Sequence, residues 1–250
     1  AIRAAQLGMK TAVIEKSELG GICLNWGCIP TKALLKSAQV FEYLMHAQDY
    51  GIKVSGAEAD FPAMVKRSRG VADAMSKGVT FLLKKNKVDV IAGYGTLKAG
   101  RKVEVKDNAG KLQTYEAKNI VIATGARSRE LPSLKQDGKK VIGYREAMSL
   151  ENQPKSMVVV GSGAIGVEFA YFYHSIGTKV TIVEFMPNIV PIEDEDVSKQ
   201  LARSFKKSGI EIMLESTVES VDTSGKGCKV KVKSKKGEEI LECDVVLSAV

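Results

Sequence analysis

Residues 157–170 read MVVVGSGAIGVEFA, and this stretch decides the fold. Met157–Val160 is a short apolar, β-branched run of the kind that forms a strand buried on both faces. It enters Gly161-Ser162-Gly163-Ala164-Ile165-Gly166, and a helix is expected from about Ala164. Glu184 follows at the tip of the next strand. Strand, GxGxxG, helix and acid in this order make the dinucleotide-binding βαβ fingerprint. Gly161 serves the tight turn, Gly163 lets the backbone approach a pyrophosphate, and Gly166 lets helix and strand pack closely. The helix N-terminus, opened by Ala164 and Ile165, offers free N–H groups and partial positive charge to phosphates. Glu184 would accept hydrogen bonds from the adenosine ribose and repel a 2′-phosphate, which favours NAD over NADP. A GxGxxG alone reads equally as a structural βα turn; the flanking strand, helix and acid carry the argument.

The surrounding chain repeats the pattern. Leu7–Glu15 reads LGMKTAVIE and Ile176–Glu184 reads IGTKVTIVE, aligned without gaps at a constant offset of 169 residues from Leu7 to Ile176. Each is a helix end, a glycine stop and a β-branched strand closing on Glu. Carried backwards, the offset places the first copy's glycine loop before Ala1. The chain is therefore expected to begin inside the first helix of another dinucleotide-binding unit. At the other end Glu242–Val250, ECDVVLSAV, is an apolar strand without a following turn. It is similar to Lys118–Thr124, KNIVIAT, which runs on into Gly125. On this reading the sequence is cut at both ends. Helical periodicity covers about Thr31–Gln48 and Pro62–Asn86. Between these helices and the second unit the pattern predicts strand Asp89–Ile91, a Gly93-Tyr94-Gly95 turn, strands Lys102–Val105 and Leu112–Ala117, and strand Asn119–Thr124. Ser128–Pro154 reads as a connection, with a boundary near Leu150. The expected fold is α/β, with two Rossmann-like dinucleotide-binding domains over residues 1–150 and 151–250, the first incomplete.

Composition bounds the function. With 44% hydrophobic and 26% charged residues, the 250-residue chain can bury a sizeable core and is not disordered. No apolar run approaches the ~18 residues of a membrane helix. The N-terminal AIRAAQLG carries no signal pattern and says nothing about targeting. The net charge of +8 is spread out, and its densest run, Gly225–Lys236 (GKGCKVKVKSKK), alternates Lys with Val. That alternation reads as a strand with a lysine face and a valine face. Its lysines would keep an exposed edge from pairing, and no aromatic residue interleaves them to suit nucleic acid.

Four cysteines are too few for a disulfide scaffold. Cys228 and Cys243 read as ordinary strand residues. Cys23 and Cys28 lie together in Leu19–Leu35, LGGICLNWGCIPTKALL. Their spacing matches no common zinc pattern. On a regular helix, residues five apart rise about 7.5 Å and point about 140° apart, whereas a disulfide needs Cα atoms within about 7 Å. A bond between them requires an irregular loop, which Asn25 and Gly27 allow. Pro30 suits the first turn of a helix after Cys28, and that helix N-terminus would favour a Cys28 thiolate. Two unlinked thiols, a static disulfide and a redox pair all remain open on the residues alone.

The segment GGICLNWGCIPTKALL resembles the redox-active disulfide motif of the flavin disulfide reductases (class I of the flavin-dependent pyridine nucleotide-disulfide oxidoreductases). Within that family it resembles most closely the members that oxidise dihydrolipoyl groups. The resemblance covers essentially the whole chain, through Glu15-Lys16, Ala123–Ala126 (ATGA), Gly161–Glu168 (GSGAIGVE) and Glu184. Glutathione and mercuric reductases share the cysteine motif, but the former usually carry basic residues where Glu184 stands. The resemblance implies a Cys23–Cys28 disulfide and FAD in the first unit. Glu15 would then hold the FAD ribose with Lys16 beside it, Gly20 and Gly21 would approach its pyrophosphate, and Gly95 would contact its adenine end. Thr124, Gly125 and Ala126 would lie against the cofactor.

By the same resemblance, Lys32 would face the isoalloxazine and pair with Glu168, which alone reads as a first-turn helix carboxylate. Ile165 would shield the flavin where nicotinamide docks, and Val218 would line the NAD pocket. The implied chemistry is attack of a dihydrolipoyl thiolate on Cys23, electron transfer from Cys28 to FAD, and hydride delivery to NAD⁺. The implied partners are lipoyl domains of 2-oxoacid dehydrogenase complexes or the glycine cleavage system, with a homodimer and with neither nucleic acid nor membrane. The implied setting is cell redox homeostasis in a bacterial cytoplasm or a mitochondrial matrix. His46 and His174 match no catalytic histidine of the family, whose His–Glu pair lies in a C-terminal domain outside this sequence. A flavin reductase for another disulfide or a metal ion, and a non-catalytic nucleotide-binding fragment, are the alternatives.

Overall fold

The computed structural model describes residues 1–250. Its helices are α1 (Ile2–Gln6), α2 (Gly21–Trp26), α3 (Cys28–Met45), α4 (Phe61–Lys85), α5 (Tyr144–Ala147), α6 (Ala164–Ser175) and α7 (Glu195–Ser208), with a 3-10 turn over Ala47–Tyr50. The first six strands are β1 (Ala12–Glu15), β2 (Asp89–Ala92), β3 (Tyr94–Lys98), β4 (Lys102–Lys106), β5 (Leu112–Glu116) and β6 (Val141–Ile142). Then come β7 (Ser156–Val160), β8 (Lys179–Val183), β9 (Glu211–Met213), β10 (Ser216–Asp222), β11 (Cys228–Ser234), β12 (Gly237–Cys243) and β13 (Val245–Ser248). The chain packs as two units, one of residues 1–29 and 69–126, the other of residues 30–68 and 127–250.

The larger unit is built on a parallel sheet of order β6-β13-β7-β8-β9. Its strands are apolar at successive positions because both faces are covered. Met157, Val159, Val180, Ile182 and Leu247 pack in one cluster with Phe169, Phe172 and Tyr173 of α6, Phe205 of α7 and Leu34 and Ala38 of α3. Val158, Val160, Val183 and Val246 pack in a second cluster with Val218, Val230 and Val232 of the antiparallel sheet β10-β11-β12. Helices, parallel sheet and antiparallel sheet form three layers, a Rossmann-like α/β arrangement.

The lysine-rich run is strand β11, with Val230 and Val232 fully buried. It lies in the middle of its sheet rather than at an edge, so edge protection is not what its lysines do. Lys231 pairs with Glu219 at 3.0 Å and Glu238 at 2.9 Å, and Lys229 with Glu242 at 3.7 Å. They balance carboxylates on the neighbouring strands.

Helix α3 lies along α6 through a polar seam. The Glu42 carboxylate accepts from Tyr171 Oη at 3.1 Å and from Ser175 Oγ at 2.6 Å. Tyr171 and Ser175 are four apart and share a helix face. Tyr173, wholly buried, donates its hydroxyl to the Ala147 carbonyl at 2.6 Å.

In the smaller unit β1 pairs in parallel with β2, from Ala12↔Asp89 to Glu15↔Ala92, as β8 pairs with β9 in the larger. The repeat is therefore structural: helix, glycine stop (Gly8 at φ 83°, Gly177 at φ 102°) and strand recur. Two expectations fail here. Only Gly93 turns; Tyr94 and Gly95 belong to β3, which pairs with β4 (Gly95↔Val105) in the antiparallel sheet β3-β4-β5. Strand Asn119–Thr124 does not form, and its Val121 and Ile122 are 87% and 70% exposed. Its counterpart β13 is held by β7, through pairs such as Val246↔Val158. The parallel sheet of the smaller unit holds only β1 and β2. Without a neighbour equivalent to β7, the backbone of 119–124 has no ladder to join.

Burial lifts the Tyr173 pKa far above its usual value. The Tyr171 pKa moves the same way through burial and then the Glu42 charge. Tyr173 thus stays neutral when folded but ionises near pH 10 when unfolded. Its stabilisation is complete below about pH 10 and is lost above it by about 1.4 kcal/mol per pH unit. Urea unfolding between about pH 9.5 and 11.5 should show this decline, and Tyr173→Phe should flatten it; an unchanged slope would contradict the buried placement.

Candidate functional site

The glycine loop of the larger unit joins β7 to α6. Gly161 adopts φ 96°, and a Cβ there would lie 2.6 Å from the Ala249 carbonyl oxygen. A Cβ on Gly166 would overlap the Gly161 carbonyl oxygen. Turn and close approach therefore both exclude a side chain. Gly163 is different: it caps α6 in extended backbone, and nothing lies within 4 Å of where its Cβ would stand. No side chain caps this helix, so its first N–H groups face that space with the positive end of the helix dipole. Ile165, on the first turn, is 48% exposed.

Glu184, 4% exposed, is held beneath the loop. Its Oε2 accepts from the Ser162 amide at 2.8 Å and the Ser162 hydroxyl at 2.7 Å, and its Oε1 from the Met186 amide at 2.8 Å. An ionised carboxylate has about four acceptor positions, so one on Oε1 remains for a ribose hydroxyl. The donor set, the open space at Gly163 and the placed acid fit a dinucleotide. Val218 is 6% exposed and packs in the cluster between the two sheets.

In the same unit Lys32 Nζ donates to Glu168 Oε1 at 2.5 Å, with the side chains 60% and 27% exposed. Glu168 lies beyond the first turn of α6, which carries no acid. Lys32, rather than the helix N-terminus, balances its charge.

In the smaller unit Cys23 and Cys28 are joined by a disulfide, with Cα atoms 4.8 Å apart. The geometry is not an irregular loop. Cys23 lies in α2, Cys28 is the first residue of α3, and Gly27 breaks the path between them. A Cβ on Gly27 would come within 3.0 Å of Cys23 Cα, so only glycine suits the break. Both cysteines are exposed.

Sequence reasoning missed what holds this segment. Arg69, on α4, donates to the Asn25 carbonyl at 2.7 Å and stacks its guanidinium 3.9 Å from the Trp26 ring centre. Ser76, two turns on, donates to the Leu19 carbonyl at 2.8 Å. The buried Asn25 side chain donates to the Leu19 and Gly21 carbonyls, each at 3.0 Å. Trp26 Nε1 donates to Glu18 at 2.8 Å. The one available signal was the seven-residue spacing of Arg69 and Ser76, which puts both on one helix face.

Of the remaining sequence candidates in this unit, Glu15 ends β1 and accepts from the Ser17 amide at 2.9 Å. Lys16 lies 5.7 Å over the Tyr94 ring. Gly20 and Gly21 start α2 at φ 110° and 75°. Gly95 packs beneath Ile14, whose Cγ2 would be 3.3 Å from a Cβ. Thr124, Gly125 and Ala126 are exposed and outside any strand. In the larger unit, His46 lies 3.9 Å from Asp49, and His174 Nε2 is 2.7 Å from the Ser208 carbonyl. Cys228 and Cys243 face each other across β11 and β12. Burial pushes both thiols up, Cys243 to about 12, so they stay protonated and unreactive.

The family described as "Pyridine nucleotide-disulphide oxidoreductase" matches residues 1–250, and the chain belongs to it. It is 49% identical to dihydrolipoyl dehydrogenase of Chlorobaculum tepidum over 232 residues, which is 93% of this chain and 50% of that protein. It is 45% identical to dihydrolipoyl dehydrogenase of Zymomonas mobilis over 238 residues, 95% of this chain and 51% of that one. The crystal structure of LpdA from Mycobacterium tuberculosis superposes with a TM-score of 0.90 at 28% identity, covering all of this chain and 54% of that one. The chain thus spans about half the length of these relatives.

The two glycines separate packing from ligand approach. Gly166→Ala should destabilise the chain by about 1–3 kcal/mol through backbone overlap, and Gly163→Ala should change it by no more than about 0.5 kcal/mol. Urea unfolding of both variants checks this; equal losses would contradict the loop geometry.

Proposed function

We propose that this member of the pyridine nucleotide-disulphide oxidoreductase family works as a dihydrolipoyl dehydrogenase, oxidising dihydrolipoyl groups with NAD⁺. The observation that carries this reading is the Cys23–Cys28 disulfide at the start of α3, in the same chain as an acid-backed glycine loop. The names of relatives at 45–49% identity support it.

A dihydrolipoyl thiolate attacks Cys23 Sγ, forming a mixed disulfide and expelling Cys28 as a thiolate. The second substrate thiol then attacks its own sulfur in that mixed disulfide, the cyclic lipoyl disulfide leaves, and Cys23 recovers a thiol. Two electrons and one proton pass from the substrate's thiolate and thiol to the cysteine pair, which is left as a Cys23 thiol and a Cys28 thiolate. Cys23 and Cys28 are both exposed as residues, so residue exposure does not choose between them. Cys28 is the better leaving group because α3 begins there, and a helix N-terminus stabilises a thiolate. Lys32, one turn further along α3, carries a positive charge fixed by Glu168.

Bound FAD would supply the carrier that couples thiol electrons to hydride transfer onto nicotinamide. Glu15, Lys16, Gly20, Gly21, Gly95, Thr124, Gly125 and Ala126 are the residues assigned to FAD, within residues 1–150. Lys32 would face the isoalloxazine with Glu168 paired to it, and Gly161, Gly163, Ala164, Ile165, Gly166, Glu184 and Val218 are assigned to NAD, within residues 151–250. Glu184 accepts a ribose hydroxyl on Oε1 and repels a 2′-phosphate.

The partners follow from the substrate: lipoyl domains of 2-oxoacid dehydrogenase complexes or of the glycine cleavage system, with a homodimer as the working assembly. No helix is long and apolar enough to cross a membrane. A bacterial cytoplasm or a mitochondrial matrix suits a disulfide that must cycle.

In the intact protein carrying this sequence, Cys28→Ser should lower lipoamide-dependent NAD⁺ reduction by at least about a thousandfold. Retained turnover would overturn the reading. Gly163→Ala should weaken NADH binding by at least about tenfold, an energy of about 1.4 kcal/mol, measured by NADH fluorescence titration. Unchanged affinity would remove the glycine loop from the nucleotide site.

A further inference from the structure

We infer that Arg69 is a positioning residue for the Cys23–Cys28 pair, holding the two sulfurs within reach of each other when the bond between them is open. This rests on the reading of that disulfide as reducible, and not on the nucleotide assignments.

When the disulfide is reduced, the covalent link between α2 and the start of α3 is gone. Helix α2 has six residues, too few to persist unaided. What remains is a set of tethers to α4, a 25-residue helix. Arg69 fixes the Asn25 carbonyl and the Trp26 ring, both between the two cysteines, and Ser76 fixes the Leu19 carbonyl on the other side of Cys23. Asn25 returns two further bonds to Leu19 and Gly21. Of these two α4 side chains, Arg69 acts inside the span the disulfide closes, alongside the bond from Trp26 to Glu18. A guanidinium suits this place because one planar group both donates to a carbonyl and stacks on indole.

Freeing this span gives the open dithiol more conformations and leaves the disulfide nearly unchanged. Loss of Arg69 therefore shifts the equilibrium toward the dithiol. A purely electrostatic role predicts the opposite. A nearby cation stabilises the thiolate of the reduced pair, so its loss would favour the disulfide, and only at a pH where thiolate forms.

The full chain is equilibrated with a series of reduced to oxidised dithiothreitol ratios, quenched in acid and alkylated. In this exchange the protein S–S bond breaks, the reagent's S–S bond forms, and two protons and two electrons pass from reagent to protein. Residues 17–32 form one tryptic peptide holding both cysteines, so its mass reports the pair without interference from Cys228 and Cys243. Arg69→Met should shift the equilibrium constant about fivefold toward the dithiol, the ratio set by one net hydrogen bond. At 29.6 mV per decade this is about 20 mV. Trp26→Leu should shift it the same way, Trp26→Phe by less than about twofold, and the Arg69→Met shift should persist at pH 6.

An unchanged constant in folded Arg69→Met, or a shift toward the disulfide, overturns the inference. If Arg69→Met does not fold, Trp26→Leu decides by the same criterion. A wild-type pair that dithiothreitol cannot open removes the redox reading and this inference together. An opened wild-type pair with unshifted variants removes this inference alone.

Discussion

Helix α6 can lie on β7 only because residue 166 has no side chain to meet the Gly161 carbonyl. That one close approach sets the depth of the helix on the parallel sheet. Once α6 is seated, Phe169, Phe172 and Tyr173 fill the layer beneath it. Its outward row then presents Glu168, Tyr171 and Ser175 to α3, where Lys32 and Glu42 meet them. The same α3 begins at Cys28.

The strength of these contacts and their use are separate matters. The core layers, with side chains such as Met157, Val159 and Phe169 nearly or fully buried, carry most of the stability, since burying each large apolar side chain contributes about 1.5–3 kcal/mol. The Lys32–Glu168 pair is partly exposed, and such pairs contribute about 1 kcal/mol or less. Its value is positional: it fixes a positive charge one turn from Cys28. The buried Glu184 is the reverse case, a carboxylate taken from water and compensated by three hydrogen bonds.

Much of this was legible in residues. The glycine loop, its acid and the repeated helix–glycine–strand unit were readable because they depend on local spacing alone. The central place of β11 was not, because alternation of Lys and Val reports a strand with two faces and not its neighbours. Strand Asn119–Thr124 was read from its β-branched run, yet a strand exists only where another offers it a ladder. The glycines flanking Tyr94 read as a turn, whereas the register with β4 places Tyr94 and Gly95 in β3. The spacing of Arg69 and Ser76 marks a shared helix face and not what Arg69 binds. Its partner is a backbone carbonyl 44 residues away, and no residue type marks a carbonyl as an acceptor.

On the proposed mechanism electrons enter through Cys23 while Cys28 leaves as thiolate. Oxidised protein is treated with a monothiol, its free thiols are alkylated in acid, and the peptide of residues 17–32 is weighed and fragmented. A monothiol adduct on Cys23 with an alkylated Cys28 is the expected result. Adducts confined to Cys28, or equal on both sulfurs, would contradict it.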